Sequence, residues 1–334
     1  INPSDHGVMF GWTDMNKATS SGKGSDTVLS APISAQGLKV MKARLDQPLA
    51  LGNEGAGTVV AAGDSKYAQS LMGKVVAVMG GGMYSQYRCM DASNCLPLLP
   101  GHSAKDGASS FVNPLTALCM VETMRMEGHS AIVHTAAASN LGQMLVRICI
   151  DDDVPLVNIV RKEEHVQLLK DMGATHVVNS SSENYASALT DAIHETGATL
   201  GFDATGGGNI ASSILSAMEA AAARTPGAYS IYGSIKHKQV YLYGALDPSE
   251  TVLTRGYGMA WGIGGWLLPN FLAKTDPEVG TRLRSRVANE LKTTFKSHYT
   301  DEISLSQALE ADVVKQYNAK TTGQKFLICP QKDV

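Results

Sequence analysis

The stretch HTAAASNLGQ, residues 134–143, decides how the rest of the chain is interpreted. It follows the apolar run SAIV (130–133) and precedes MLVRICI (144–150), so we predict a turn between a strand and a helix. Such turns often bind phosphate, because the first backbone N–H groups of a helix have no intrahelical partner. A dinucleotide-binding turn usually reads G-x-G-x-x-G, whereas this one holds the single glycine Gly142. The stretch alone fits either a ligand-binding turn or an ordinary capped turn.

Strand and helix patterns alternate from residue 130 onward, with short loops between them. Gly173 and Gly197 stand where glycines commonly end helices. This alternation predicts βαβ units in a parallel, doubly wound sheet, and hence an α/β fold. The predicted strands are SAIVHTA (130–136), PLVNIVR (155–161), THVVNS (175–180), ATLGFDATG (198–206), AYSIYGS (228–234) and KQVYLYGAL (238–246), with helices between the first five.

The first third of the chain has a different pattern. Short apolar runs separated by glycines predict strands at 51–63, 73–82 and 83–90, and therefore a β-rich domain. Residues 14–48 are polar at first and show no clear period, so we expect a long surface insertion there. The end of the chain predicts a helix at 304–318 and a last strand at 325–329.

Composition excludes several classes of protein. The chain has 334 residues, a net charge of −3 and no basic block, which argues against a nucleic-acid surface. Its five cysteines form no CxxC motif, and no apolar run is long enough to span a membrane. We therefore expect an intracellular protein, in the cytoplasm or the mitochondrial matrix. The chain opens on INPSD without an initiator methionine, so we expect the true N-terminus to be missing.

Several motifs in a fixed order resemble the medium-chain dehydrogenase/reductase superfamily. The similarity is greatest to its zinc-free branch of NADPH:quinone oxidoreductases and mitochondrial-type trans-2-enoyl thioester reductases. It implies a GroES-like catalytic domain over 1–117, a Rossmann NADP-binding domain over 118–272, and a return to the first domain over 273–334. The motifs are NPSD (2–5), GNEGAGTVVAAG (52–63), YSQY (84–87), NPLTAL (113–118), the turn at 134–142, NIVR (158–161) and FDATGGG (202–208).

The resemblance implies that NADPH binds at the turn and at the end of the second Rossmann strand. Arg161 and Lys162 occupy the position where a basic side chain would hold the 2′-phosphate, and an acidic one would select NAD. Small residues in the turn would leave room for the pyrophosphate, and Gly142 would allow close helix–strand packing. The cofactor-binding candidates are Asn113, Thr116, Ala137, Ser139, Asn140, Leu141, Gly142, Arg161, Lys162, Thr205, Gly206, Tyr232, Gly233 and Ser234.

Each of these assignments has a structural alternative. The turn could be a capped βα turn without a ligand, and Arg161–Lys162 a solvated pair. Pro114 and Thr116 could simply start a helix. The glycine-rich turns after the strands could have only a structural role.

No zinc site is expected. The alcohol-dehydrogenase branch has a cysteine near the position of Ser4 and a histidine at the position of Asn53, and neither residue type is a match here. His6 alone fits a surface or hydrogen-bonding residue better than a metal ligand.

The catalytic residues remain unknown, with Asn113 and Thr116 as candidates. Enoyl thioester reductases of this family carry a tyrosine near the position of Thr13. This chain has no tyrosine there. Tyr84 and Tyr87 are expected to serve packing. Reduction of a quinone or activated enone needs less help from a protein acid, so we favour it. Enoyl thioester reduction, reduction of another small carbonyl or alkene, and a structural or NADPH-sensing subunit remain alternatives.

Two late segments bear on assembly and on the substrate. By resemblance, the last Rossmann strand, assigned to 238–246, should pair across a two-fold axis in a homodimer. The segment 256–272 contains Trp261, Trp266 and Phe271 among five glycines. It should form a docked helix or part of an apolar wall for a flat substrate.

Overall fold

The computed structural model describes residues 1–224 and 230–333. The chain divides into two units, one made of Ile1–Val112 with Arg284–Val334 and the other of Asn113–Leu283. The sequence analysis put the corresponding boundaries after residues 117 and 272. Each unit is described separately.

The first unit begins with short elements around a small antiparallel sheet. The order in that sheet is β3-β4-β5, and β1 and β2 form a separate hairpin within the 14–48 insertion. Most of the insertion is exposed, as expected for a surface segment. The elements are α1 (Pro3–Met9), β1 (Thr19–Ser21), β2 (Val28–Ser30), α2 (Ala35–Val40), β3 (Glu54–Thr58), α3 (Lys66–Ser70), β4 (Val75–Met79), β5 (Leu96–Pro97) and α4 (Ala104–Gly107).

The second unit is built on a six-stranded parallel sheet. Its order is β13-β11-β9-β6-β7-β8, with helices packed on it, which confirms the doubly wound α/β class. The elements are α5 (Val112–Met126), β6 (Ile132–His134), α6 (Asn140–Asp151), β7 (Leu156–Val160), α7 (Glu163–Asp171), β8 (His176–Asn179), α8 (Tyr185–Thr196), β9 (Leu200–Asp203), β10 (Gly206–Gly208), α9 (Ile210–Ala223), β11 (Lys238–Leu242), β12 (Asp247–Thr251), β13 (Trp261–Gly265) and α10 (Leu268–Leu272).

The chain then returns to the first unit. A helix crosses the boundary, and a parallel strand pair with one helix completes the fold. These elements are α11 (Pro277–Asn289), β14 (Asp301–Ile303), α12 (Ala311–Asn318) and β15 (Phe326–Ile328).

The sheet of the second unit is buried because its strands are apolar on both faces. β7 is buried along its whole length, and Val157 and Ile159 pack into a core with α8 and α9. Gly173 and Gly197 follow α7 and α8 with φ of 97° and 68°, which confirms their predicted role at helix ends.

Two predicted strands are wrong, and one segment differs from its expected form. Residues 83–90 form no strand, and the only backbone hydrogen bonds there among the described residues join Met83 and Tyr84 to Gly52 and Leu51. Residues 230–234 form a turn, while 228 and 229 lie outside the described residues. The segment 256–272 contributes β13 before the short helix α10, since its glycines favour extended pairing with β11 over a helix.

Candidate functional site

The turn after β6 is tightly held by its own backbone and by Ser139. Ala136 adopts a φ of 51°, which is uncommon for alanine. The Ala137 N–H donates to the Ile159 carbonyl of the neighbouring strand, at 3.2 Å. The Ser139 hydroxyl accepts from the Gly142 N–H at 3.1 Å, confirming the predicted cap of α6. The N–H groups of Ala138 and Leu141 have no partner among the described residues, so the turn presents free donors at a helix N-terminus.

Gly142 is required by close packing. A Cβ atom built on it would lie 2.2 Å from the Ala137 carbonyl oxygen and 2.7 Å from the Ala137 Cα. These are backbone atoms, which cannot rotate away. The structure therefore confirms the predicted packing role of Gly142.

Asp203, which the sequence analysis missed, joins the turn to the end of β9. It is fully buried, and its Oδ1 accepts from the Thr135 hydroxyl at 2.7 Å and the Thr205 N–H at 2.8 Å. Its Oδ2 accepts from the Gly206 N–H at 3.1 Å. One carboxylate thus fixes two candidate loops, and a buried acid at a strand end was the signal that could have revealed it.

Asp203→Asn should lower the free energy of unfolding by about 2–3 kcal/mol. The NH₂ group of the asparagine amide would face at least one of the buried donors from which Asp203 now accepts a hydrogen bond, and two donors cannot bond to each other. Urea unfolding measures the change, and Asp64→Asn is a matched control because Asp64 is exposed. A change of less than about 0.5 kcal/mol, the range of ordinary surface substitutions, would show that the loops do not depend on Asp203.

Arg161 directly follows β7 and is exposed. Its guanidinium makes no hydrogen bond or ion pair with the described residues. Its carbonyl accepts from the Ser181 hydroxyl at 3.0 Å, which fixes the backbone there. Lys162 instead pairs with Glu164 at 3.1 Å. Of the two predicted phosphate ligands, Arg161 is the one whose charge is not already paired.

Thr205 and Gly206 lie at the same edge of the sheet as the turn. Gly206 has a φ of 79°, and a Cβ atom there would lie 2.6 Å from the Gly244 carbonyl. Gly244 follows β11, so the end of that strand also meets this edge. Tyr243, just before it, contacts the Nε2 of His134 through its hydroxyl at 2.7 Å. Neither Tyr243 nor Gly244 was among the candidates, because the strand at this position had been assigned differently.

Tyr232, Gly233 and Ser234 do not join this group. They precede β11 and therefore lie at the opposite, amino-terminal edge of the parallel sheet. Ser234 donates its N–H and hydroxyl to Glu219, at 2.7 Å each, and Glu219 pairs with the buried Lys238. Burial opposes ionisation of Glu219, but the Lys238 and Ser234 hydrogen bonds prevail and lower its pKa. Their predicted place in a cofactor site depended on a strand that residues 230–234 do not form.

Asn113 and Thr116 lie in the first turn and a half of α5, each 7% exposed. Neither side chain makes a hydrogen bond with the residues that the structure describes. Two buried polar groups without protein partners are compatible with a ligand, and their role in binding stays a prediction.

Comparison with known proteins finds reductases among the similar sequences and structures. No family model matches the chain. Prostaglandin reductase-3 of Mus musculus is 29% identical over 166 residues, 49% of this chain and 43% of that protein. Quinone oxidoreductase of Pseudomonas aeruginosa is 29% identical over 142 residues, 42% of this chain and 43% of that protein. The chain therefore matches less than half the length of these relatives.

A structural match extends over nearly the whole chain. A Mesorhizobium loti crystal structure, described as a candidate NADPH:quinone reductase, has a TM-score of 0.69 and 26% identity, covering 94% of this chain and 96% of that one. In sequence and in fold, the chain resembles NADPH:quinone reductases of the medium-chain dehydrogenase/reductase superfamily. No helix within residues 1–224 and 230–333 is long and apolar enough to cross a membrane.

The two positions that correspond to zinc ligands of the alcohol-dehydrogenase branch contact each other. The Asn53 amide donates to the Ser4 hydroxyl at 3.1 Å. His6 is buried, not on the surface, and its Nδ1 lies 3.1 Å from the Asn318 Oδ1. Burial lowers the pKa of His6 to about 4, with Lys320 as the next contribution, so the ring is neutral at pH 7.

A buried polar network surrounds Glu54 in the first unit. Its Oε2 accepts from the N–H groups of Phe111 and Val112, at 2.8 and 2.9 Å, and its Oε1 from the Asn2 amide at 2.6 Å. Lys325, also buried, donates to the Asn2 Oδ1 at 2.8 Å. Burial lowers the pKa of Lys325, and Glu54 opposes that shift. The glutamate of the GNEG motif therefore fixes the start of α5 on the NPSD segment.

The position near the tyrosine of related enoyl reductases offers no replacement acid. The Thr13 hydroxyl donates to the Met15 Sδ at 3.1 Å. Tyr84 lies against Gly52, and burial raises the pKa of its phenol far above the usual range, with Asp5 contributing next. A phenol held neutral in this way is a poor proton donor.

Proposed function

We propose that this chain is an NADPH-dependent reductase that transfers a hydride to a quinone or an activated enone without a metal ion. The observation that supports NADPH over NADH is the guanidinium of Arg161, which lies at the carboxyl end of β7 and makes no ion pair with the described residues. Bound NADPH would supply the hydride. The relatives named quinone oxidoreductase and prostaglandin reductase support a reductase, and their names leave the acceptor of this chain open.

The turn after β6 fits the diphosphate of such a cofactor. The free N–H groups of Ala138 and Leu141 would donate to phosphate oxygens, and Asn140 begins the helix whose N-terminus favours an anion. The side chains of Ala137 and Ser139 are small, as a close approach of phosphate to the backbone requires. Asn113 and Thr116 would bind near the nicotinamide, and Thr205 and Gly206 near its ribose.

The proposed acceptor rests on the proton that the reaction needs. Reducing a quinone or an enone takes one hydride and one proton, and water can deliver the proton because the reduced oxygen is a stabilised anion. Thr13 and Tyr84 offer no acid for a less activated acceptor. Enoyl thioesters, which would benefit from such an acid, are therefore the second choice.

A substrate panel tests the proposal. Oxidation of NADPH is followed with a quinone, an enone and a trans-2-enoyl-CoA, each at equal concentration. We expect turnover on the quinone or enone, and slow turnover or none on the enoyl-CoA. Tight NADPH binding without turnover on any acceptor would instead favour the NADPH-sensing subunit.

We further propose a homodimer formed through β13. The sequence analysis assigned the pairing strand to 238–246, but β11 lies inside the sheet between β9 and β13. Among the described strands β13 is the edge beyond β11, and an uncovered edge is a template for pairing. Ile235 and Met259, which precede β11 and β13, are 96% and 78% exposed, and a partner would cover them.

Light scattering after size exclusion should give a dimer, and Ile235→Lys with Met259→Lys should shift it to a monomer. Charges that become buried in an apolar interface are costly to desolvate. Val60→Lys is the control, since Val60 is a 65% exposed apolar residue in the other unit. A wild-type monomer, or a dimer unaffected by the double variant, would refute this interface.

A further inference from the structure

A cavity lies at the end of the sheet opposite the turn. It has a volume of about 460 Å³ and is bounded by the last turns of α6, the residues that follow α7, and the first residues of β7 and β8. Its apolar walls include Val146, Ile150 and Leu156. The candidate cofactor residues border the other, carboxyl-terminal edge, so this cavity belongs to a different part of the second unit.

Asn158 gives the cavity a polar floor. It lines the cavity from the middle of β7, where its neighbours are the apolar Val157 and Ile159, and it is 1% exposed. Its Nδ2 lies 3.3 Å from the His176 carbonyl oxygen, but its Oδ1 has no partner among the described residues. An unsatisfied buried acceptor is unfavourable, and a ligand N–H would relieve that cost.

The rim of the cavity is acidic. Asp153 and Glu195 line it, and the Glu195 Oε2 lies 3.5 Å from the Nδ1 of His176. Within the described chain, no lysine or arginine belongs to the lining. An acceptor at the floor and carboxylates at the rim both favour a ligand that donates hydrogen bonds and carries positive charge.

We propose that this cavity binds a small organic cation, whose apolar body packs against Val146 and Ile150 and whose amidinium or ammonium group donates to Asn158 and the rim carboxylates. The site stands apart from the proposed reductase function. Asn158 is the strand partner of His134, whose Nδ1 also lacks a partner, so a buried water between the two is the competing explanation of the free Oδ1.

Calorimetric titration of the full chain with benzamidine, benzamide and benzoate tests the site, because the three differ chiefly in charge and donors. We expect benzamidine to bind most tightly, benzamide weakly and benzoate not at all. Asn158→Leu, nearly isosteric, should weaken benzamidine about tenfold, as the loss of one hydrogen bond to a charged group implies. Glu195→Gln should reduce the preference for benzamidine over benzamide. Glu183→Gln, an exposed residue outside the lining, is the control and should change nothing.

Equal affinity for the three compounds, no binding, or binding insensitive to both Asn158→Leu and Glu195→Gln would overturn the proposal. If Asn158→Leu does not fold, a crystal structure of the wild-type chain with benzamidine decides between the two explanations. Density for benzamidine in the cavity would support the site, and a lone water beside Asn158 would overturn it. Saturating NADPH should leave benzamidine binding intact, so a failure of either proposal is distinguishable from a failure of the other.

Discussion

Arg161→Ala should weaken NADPH binding about 30-fold or more while leaving NADH affinity within about twofold. The two cofactors differ only in the 2′-phosphate, and a guanidinium can hold that group through two charge-assisted hydrogen bonds. The Arg161 side chain has no ion pair with the described residues, so its removal breaks no internal contact. Fluorescence titration with each cofactor measures both affinities.

Two further variants sharpen this test. Lys170→Ala removes an exposed charge from the last turn of α7, the helix that follows Arg161, and should affect neither cofactor. Lys162→Ala should have a small effect, because Lys162 already pairs with Glu164. If Arg161→Ala and Lys162→Ala weaken NADPH binding equally, the 2′-phosphate is attracted by the total positive charge of the region and Arg161 has no special role.

Gly142→Ala should abolish measurable NADPH binding and lower the free energy of unfolding by about 1–3 kcal/mol, the usual range for overpacking. The new methyl would overlap the Ala137 backbone, so the turn must move and its free N–H groups would be displaced. Calorimetric NADPH titration and urea unfolding measure the two effects.

Gly280→Ala is the matched control for this variant. Gly280 lies within α11 with open space around its Cβ position, so alanine should stabilise the helix by up to about 1 kcal/mol. Full NADPH affinity in Gly142→Ala would mean that the turn after β6 is not the cofactor site.

The sequence predicted the second unit well because its local signals agree with its tertiary structure. The turn at 134–143 lies between β6 and α6 as expected, and both Ser139 and Gly142 have their predicted structural roles. Parallel strands that are buried on both faces are mostly apolar. β7 is buried along its whole length and was predicted from the sequence for that reason.

The errors occur where long-range contacts override the local pattern. The run 228–234 resembles a strand, but the Glu219–Lys238 ion pair holds Ser234 in a turn. Because of this error, Tyr232, Gly233 and Ser234 were chosen as candidates, whereas Tyr243 and Gly244 follow the strand that is present, β11. Asp203 was missed because its partner Thr135 is 68 residues away in the sequence.

Paired steady-state kinetics with NADPH and NADH on one quinone acceptor test the central claim most directly. The account predicts efficient NADPH oxidation by the wild-type chain, a much lower kcat/KM with NADH, and loss of that preference in Arg161→Ala. Oxidation of both cofactors with equal kcat/KM, or of neither with any quinone or enone, would contradict it.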